Sequence, residues 1–259
     1  QKFSGGHFYL GLGSQVKAHI EKRFGIDFNP PASRMREYIQ ALKAIFDCWQ
    51  NDVPMDFQGK FYRHTLMTPM FNPGPNPHGV PPVLLGALGP KMTEVAGEVA
   101  DGLIVHPFNS APFLEDHAIP AVHRGLEKAG RNREDFILQI NAIVITGESD
   151  EAIEAATQSV KGLLGFYAST PAYRPPMDAV GFGDLQPELN KLSKEGRWDA
   201  LAEFIDDDFL DAFTTRGKPA DVAAKLKARY GEHADRLALY APYAAPDAMW
   251  QSIIAELKT

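Results

Sequence analysis

The sequence predicts an α/β fold, a parallel sheet covered by helices in the manner of a β/α barrel. Three observations predict it. Short runs that are apolar on both faces, such as Val83–Ala87 and Gly102–His106, alternate with longer segments of helical periodicity. Strands buried on both faces belong to parallel sheets with helices on either side. The 259 residues, 44% of them hydrophobic, suffice for one barrel domain, which ordinarily takes about 250 residues.

The elements follow in order. His7–Gly13 (HFYLGLG) is a short buried strand ending in glycines, and a loop is expected from Ser14 to Pro31. Ser33 is placed to cap the next helix. Met35, Tyr38, Ile39, Leu42, Ile45, Phe46 and Trp49 recur at spacings of three and four, which predicts an amphipathic helix. Asn51–Pro82 is rich in Pro, Gly and Asn, with a small hairpin expected over Phe57–His64. The strand Val83–Ala87 leads into a short helix over Pro90–Val99, and Gly102–His106 is the third strand. A helix over Pro112–Ala129 and a strand over Phe136–Thr146 come next. Ser149 caps a further helix, with Asp150 and Glu151 in its first turn. Residues 168–216 are polar and partly helical, too long for a plain loop, and are expected to form an insertion. Pro219 suits the first position of a helix. Asp235–Tyr240 is the last strand and Asp247–Leu257 a closing helix. This makes five strands, where a closed barrel needs eight. Residue 1 is Gln rather than Met and runs almost at once into a strand, so the expectation is that three further units precede it.

Composition excludes several function classes. The net charge is −7 and no basic stripe is present, which disfavours nucleic acid and anionic membrane as partners. Cys48 is the sole cysteine, so there is no internal disulfide and no cysteine metal site, in keeping with a cytoplasmic location. No apolar run approaches the roughly 18 residues of a membrane helix.

Ligands of parallel α/β sheets sit beyond the carboxyl ends of the strands. After the second strand stands Gly86-Ala87-Leu88-Gly89-Pro90-Lys91. Small residues admit a ligand close to the backbone, and Pro90 opens a helix whose free N–H groups favour an anion. The segment reads either as a phosphate site or as a plain tight turn. Gly11-Leu12-Gly13-Ser14-Gln15 follows the first strand without the full dinucleotide fingerprint, and His19 lies in the same expected loop. His106 ends the third strand, as a ligand contact or as a rim histidine. Gln139 and Asn141 share one face of the fourth strand by its two-residue period. Lys218 and Arg174 are candidates to meet a phosphate or carboxylate, or are ordinary surface cations. Cys48, beside Trp49 on an amphipathic helix, reads as core rather than nucleophile. No His-x-His, zinc-binding helix or paired-carboxylate motif appears, and no strand ends in a Schiff-base lysine, so metal hydrolysis and aldol chemistry lack support.

Several segments, taken in order, resemble the bacterial-luciferase-like monooxygenase superfamily, and within it the deazaflavin-dependent branch. They are Phe3–Gly13, Phe57–Tyr62, Gly86–Pro90 with Ala100–Leu103, and Gly217–Val222 with Ala234–Arg236. His7 stands where that family usually has Arg, and Lys218 where it usually has a small Thr or Ser. The resemblance implies a TIM (β/α)8 barrel whose strands four to eight lie here. It implies an oxidoreductase that moves hydride between coenzyme F420 and an organic substrate. The alternatives are an FMN-dependent monooxygenase using reduced flavin and oxygen, and a non-catalytic cofactor-binding barrel. By position, Gly86, Ala87, Leu88 and Gly89 would meet the cofactor phosphate. Gly13, Ser14 and His19 would lie beside the ring or ribityl chain, with His106 a further cofactor contact. Catalytic residues are expected before Gln1. The resemblance also implies a homodimer.

Overall fold

A computed structural model describes residues 1–259. The chain divides into two compact units, Gln1–Ile104 with Pro120–Ile137, and Val105–Ile119 with Leu138–Thr259.

In the first unit, strand β1 (Leu10–Gly13) leads through helix α1 (Lys17–Arg23) to helix α2 (Pro31–Asn51). Strands β2 (Phe57–Gln58) and β3 (Arg63–His64) form the expected hairpin, paired antiparallel. Strand β4 (Val83–Ala87), helix α3 (Pro90–Val99) and strand β5 (Gly102–Val105) follow. Strand β1 runs parallel to β4, with Leu10 opposite Val83 and Gly13 opposite Gly86. The buried run Val83, Leu84 and Leu85 explains why β4 reads as apolar on both faces.

Asp101 fixes the start of β5 against β4. Its N–H donates to the Val83 carbonyl at 2.7 Å, and its carboxylate accepts from the Val83 N–H at 2.8 Å and from Lys43 at 2.6 Å. Helix α4 (Ala111–Phe113) is a single turn of the second unit, and helix α5 (Ile119–Lys128) crosses α3 closely. A Cβ on Gly97 would stand 2.4 Å from the Val122 carbonyl oxygen, and one on Gly125 would stand 2.1 Å from that of Glu94. Only glycine fits both sides of this crossing. Beside it, Glu98 pairs with both Arg36 of α2 and Lys128 of α5.

In the second unit, strand β6 (Ile137–Thr146) leads to helix α6 (Asp150–Ser169), whose first turn Ser149 caps as expected by accepting from the Ala152 N–H. Helices α7 (Arg174–Asp178), α8 (Gln186–Lys194), α9 (Trp198–Leu201) and α10 (Asp207–Phe213) come next. Strand β7 (Thr214–Gly217), helix α11 (Pro219–Tyr230), strand β8 (Arg236–Tyr240) and helix α12 (Asp247–Leu257) complete the chain. Both β7 and β8 run parallel to β6, β7 along Ile143–Thr146 and β8 along Gln139–Ile143. Asp235 repeats the device of Asp101. Its N–H donates to the Leu138 carbonyl and its carboxylate accepts from the Leu138 N–H at 2.7 Å. A core of Phe108, Val160, Leu164, Leu189, Phe209 and Phe213 joins β6 to α6–α10, with Phe108 and Phe213 stacked at 4.4 Å. Burying each such aromatic contributes about 2–3 kcal/mol.

Several sequence expectations need correction. Thr214–Gly217 is a parallel strand, the sixth, so the helical stretch ends at Phe213 and not at Arg216. Its TTRG sequence carries too few apolar residues to read as a strand. The first strand begins at Leu10, three residues later than expected. The helix expected over Pro112–Ala129 is broken by a π-helical turn, Leu114–Ala118, just before Pro120, whose nitrogen cannot donate to a helical ladder. Helix α2 begins at Pro31 without a side-chain cap, which leaves Ser33 inside its first turn.

Candidate functional site

The carboxyl ends of β1 and β4 lie side by side through the Gly13–Gly86 register. A Cβ built on Gly13 or on Gly89 would meet nothing within 4 Å, and one on Gly86 would reach only the Leu12 carbonyl oxygen at 3.4 Å. The three glycines therefore border open space, and none is required by crowding from the protein itself. Gly89 is the N-cap of α3, with ordinary extended backbone (φ −70°) and no side-chain cap, and Pro90 takes the first helical position. Pro90 has no N–H, and Thr93 donates to the Gly89 carbonyl. The N–H groups of Lys91 and Met92 are left without helical partners, at the positive end of the helix dipole. Ala87, the last residue of β4, and Leu88, in the turn that follows it, are half-buried.

Past Gly13, the chain turns into α1 through Gln15, which holds a left-handed φ of 57°. His19 lies on α1 and not in a loop, and its side chain is exposed. A cavity of about 350 Å3 opens beside the end of β1, bounded by Gly13, Ser14, Ile20, Arg34, Tyr38 and Tyr62. His19 does not border it. Sequence reasoning missed Arg34, Tyr38 and Tyr62 as site residues. Tyr38 and Tyr62 meet edge to face at 5.5 Å. Arg34 has a buried Nε with no hydrogen-bond partner. Its Nη2 makes one long bond to the Asn29 carbonyl at 3.4 Å, and its guanidinium stands 5.4 Å from the Phe61 ring centroid.

The hairpin is seated on α2 by Glu37. Its carboxylate accepts from the Phe61 N–H at 2.5 Å and the Tyr62 N–H at 2.7 Å. Desolvation works to raise its pKa, but the N–H groups of Tyr62, Phe61 and Lys60 outweigh this and hold the carboxyl below its usual range. Gly59 makes the contact possible, because a Cβ there would overlap the Glu37 carboxylate.

In the second unit, His106 stands among aromatic rings, 4.6 Å from Tyr173 and 5.0 Å from Tyr167 between centroids. Burial lowers its pKa to about 4, so it is neutral at pH 7. The Phe108 N–H donates to His106 Nδ1 at 3.1 Å, which puts the imidazole proton on Nε2. Burial and a hydrogen bond with Tyr240 push the Tyr167 phenol up. Sequence reasoning placed Tyr240 only as the end of the last strand and did not single out Tyr167 or Tyr173, because tyrosines at helix and strand ends carry no distinctive spacing.

The remaining candidates are accounted for by local partners. Gln139 donates to the Asn141 side chain at 3.2 Å. Arg174 is half-buried and pairs with Asp178 at 3.2 Å and Asp184 at 3.6 Å. Lys218 occupies the N-cap position of α11 without capping through its side chain, and faces Asp150 at 3.7 Å in solvent. Cys48 is buried in α2, as core.

Parallel strands each followed by a helix define an α/β protein. Residues 1–236 match the family model of the luciferase-like monooxygenases, and the chain belongs to that family. It is 44% identical over 237 residues to an uncharacterised protein of Mycobacterium tuberculosis, covering 92% of this chain and 70% of the relative. It is 26% identical over 226 residues to the 5,10-methylenetetrahydromethanopterin reductase of Archaeoglobus fulgidus, covering 87% of this chain and 64% of that enzyme. Among solved structures, the coenzyme F420-dependent tetrahydromethanopterin reductase of Methanopyrus kandleri superposes with a TM-score of 0.76 at 21% identity. That match covers 98% of this chain and 73% of that one, which shows a shared fold. No helix is long and apolar enough to cross a membrane.

Proposed function

We propose that the protein is a coenzyme F420-dependent oxidoreductase, built on a (β/α)8 barrel, that moves hydride between the deazaflavin and an organic substrate. The observation that carries this reading is the glycine cradle. Gly13, Gly86 and Gly89 leave open space where side chains would stand, next to the unpaired N–H groups of α3. The name of the F420-dependent reductase whose structure it resembles supports the choice of cofactor.

A bound deazaflavin supplies the carbon that gives or accepts hydride, while the protein supplies position and electrostatics. Gly86, Ala87, Leu88 and Gly89, with the N–H groups of Lys91 and Met92, would hold the phosphate. Gly13 and Ser14 would flank the ring or ribityl chain. In the second unit, neutral His106 offers an Nε2–H donor, held in that tautomer by the Phe108 N–H. Asn141, Arg174 and Lys218 take no part in this reading, because Gln139, Asp178 and Asp150 respectively stand against them.

Turnover tests the proposal. Reduced F420 is expected to be oxidised in the presence of an organic acceptor without consumption of oxygen. Oxygen uptake with reduced FMN, and none of the F420 reaction, would replace it with the monooxygenase reading.

A further inference from the structure

We infer that the cavity between the end of β1 and α2 is a binding site for a small aromatic carboxylate, with the carboxylate on Arg34 and the ring against Tyr38 and Tyr62. The cavity shares Gly13 and Ser14 with the proposed cofactor position, so the inference rests on that reading for its place beside the cofactor, while the benzoate test below needs no cofactor.

Arg34 is the first observation. A guanidinium carries five N–H donors. Here one makes a 3.4 Å bond to a carbonyl, while the buried Nε has no partner. Polar atoms left this way are costly to bury and are ordinarily satisfied. The two nearby carboxylates are engaged elsewhere. Glu37, one turn along α2, accepts from the Phe61 and Tyr62 N–H groups. Asp27, which also borders the cavity, accepts from the Asn29 N–H at 3.1 Å. Neither forms an ion pair with Arg34, so the cation faces the cavity without a counter-charge from the protein.

The walls decide what kind of anion fits. The volume of about 350 Å3 is that of a small-molecule pocket. Tyr38 and Tyr62 present rings at 69° to each other, and Ile20, Ile26 and Met35 add apolar surface. A bare inorganic anion would satisfy Arg34 and leave these walls wet. A planar ring bearing a carboxylate satisfies both, since the guanidinium fork matches carboxylate geometry and aromatic faces stack well.

The test is titration of the protein with benzoate, followed by ligand-observed NMR and calorimetry. Benzamide, the neutral isostere, and inorganic phosphate are the comparison probes. Benzoate is expected to bind saturably and at least about tenfold more tightly than benzamide, the scale of one charge-assisted interaction. Arg34→Gln is expected to remove that preference while leaving benzamide binding unchanged, and Arg174→Gln to change nothing. Absence of saturable benzoate binding, equal affinity for benzoate and benzamide, displacement of benzoate by equimolar phosphate, or unaltered benzoate binding in a folded Arg34→Gln protein would each overturn the inference. Should Arg34→Gln fail to fold, the three probes on the unmodified protein decide the question alone.

Discussion

Replacing Gly89 by Ala separates a cofactor cradle from an ordinary turn, because a cradle predicts a loss of cofactor affinity while stability stays nearly unchanged. Gly89 has φ −70°, which alanine adopts freely, and a Cβ there meets no atom of the protein within 4 Å. Two small terms act on the fold. Removing glycine's freedom in the unfolded chain stabilises by about 0.4–1 kcal/mol. Placing alanine at an N-cap, where glycine is preferred, costs a similar amount, roughly 0.5–1 kcal/mol. They offset, and since 1 kcal/mol moves the melting temperature of a chain this size by about 2–4 °C, the expected shift is under about 2 °C. The same methyl group stands where the cofactor phosphate would approach the Lys91 and Met92 N–H groups. Losing one such charge-assisted contact lowers affinity at least about tenfold, or about 1.4 kcal/mol. Differential scanning calorimetry reads the first quantity and fluorescence titration with F420 the second. An alanine variant that melts normally and binds F420 as well as the parent would refute the cradle and leave a plain strand-to-helix turn.

Three further outcomes follow from the geometry. His106, lowered from its ordinary 6.5 to about 4 by burial, must charge in the unfolded chain before it charges in the folded one. Stability therefore falls as pH drops from about 6.5 to 4, by at most about 3.5 kcal/mol at about 1.4 kcal/mol per pH unit. The loss is expected to shrink in His106→Asn, and an imidazole NMR midpoint at or above 6.5 would contradict it. Gly97→Ala is expected to destabilise by about 1–3 kcal/mol in chemical denaturation, because its methyl overlaps the Val122 carbonyl across the α3–α5 crossing. A neutral result would mean that the helices can part at no cost. Asp101→Ala is expected to cost about 1.5–3 kcal/mol by removing a charged acceptor from the Val83 N–H and Lys43; an unchanged denaturation midpoint would show that β4 holds its register without it.

Much of the fold was legible because burial on both faces leaves a plain mark. Val83–Ala87 is a strand with the bounds its apolar run suggests, and Ser149 caps its helix as its side chain allows. Strand β7 was not legible. Its Thr214 and Thr215 are buried and Arg216 is held by Asp207 and Asp211, so tertiary contacts rather than hydrophobic pattern make it a strand. The site shows the same division. Gly86 and Gly89 stood out in the sequence because glycines after a strand permit close backbone approach, and the structure leaves room beside both. Arg34 was not, since an arginine in the first turn of a helix reads as solvated surface, and only the seating of the hairpin by Glu37 brings Tyr62 beside it. His19 shows the converse. A short helix, α1, occupies what the sequence presents as loop, and turns that side chain to solvent.

The central claim, that Gly13 and Gly86–Gly89 hold a deazaflavin, is tested most directly by titrating one preparation with F420 and with FMN under identical conditions. Saturable binding of one F420 per chain, far tighter than FMN and weakened at least about tenfold by Gly89→Ala, is the predicted result. Equal or stronger binding of FMN, or F420 binding indifferent to Gly89, would contradict it.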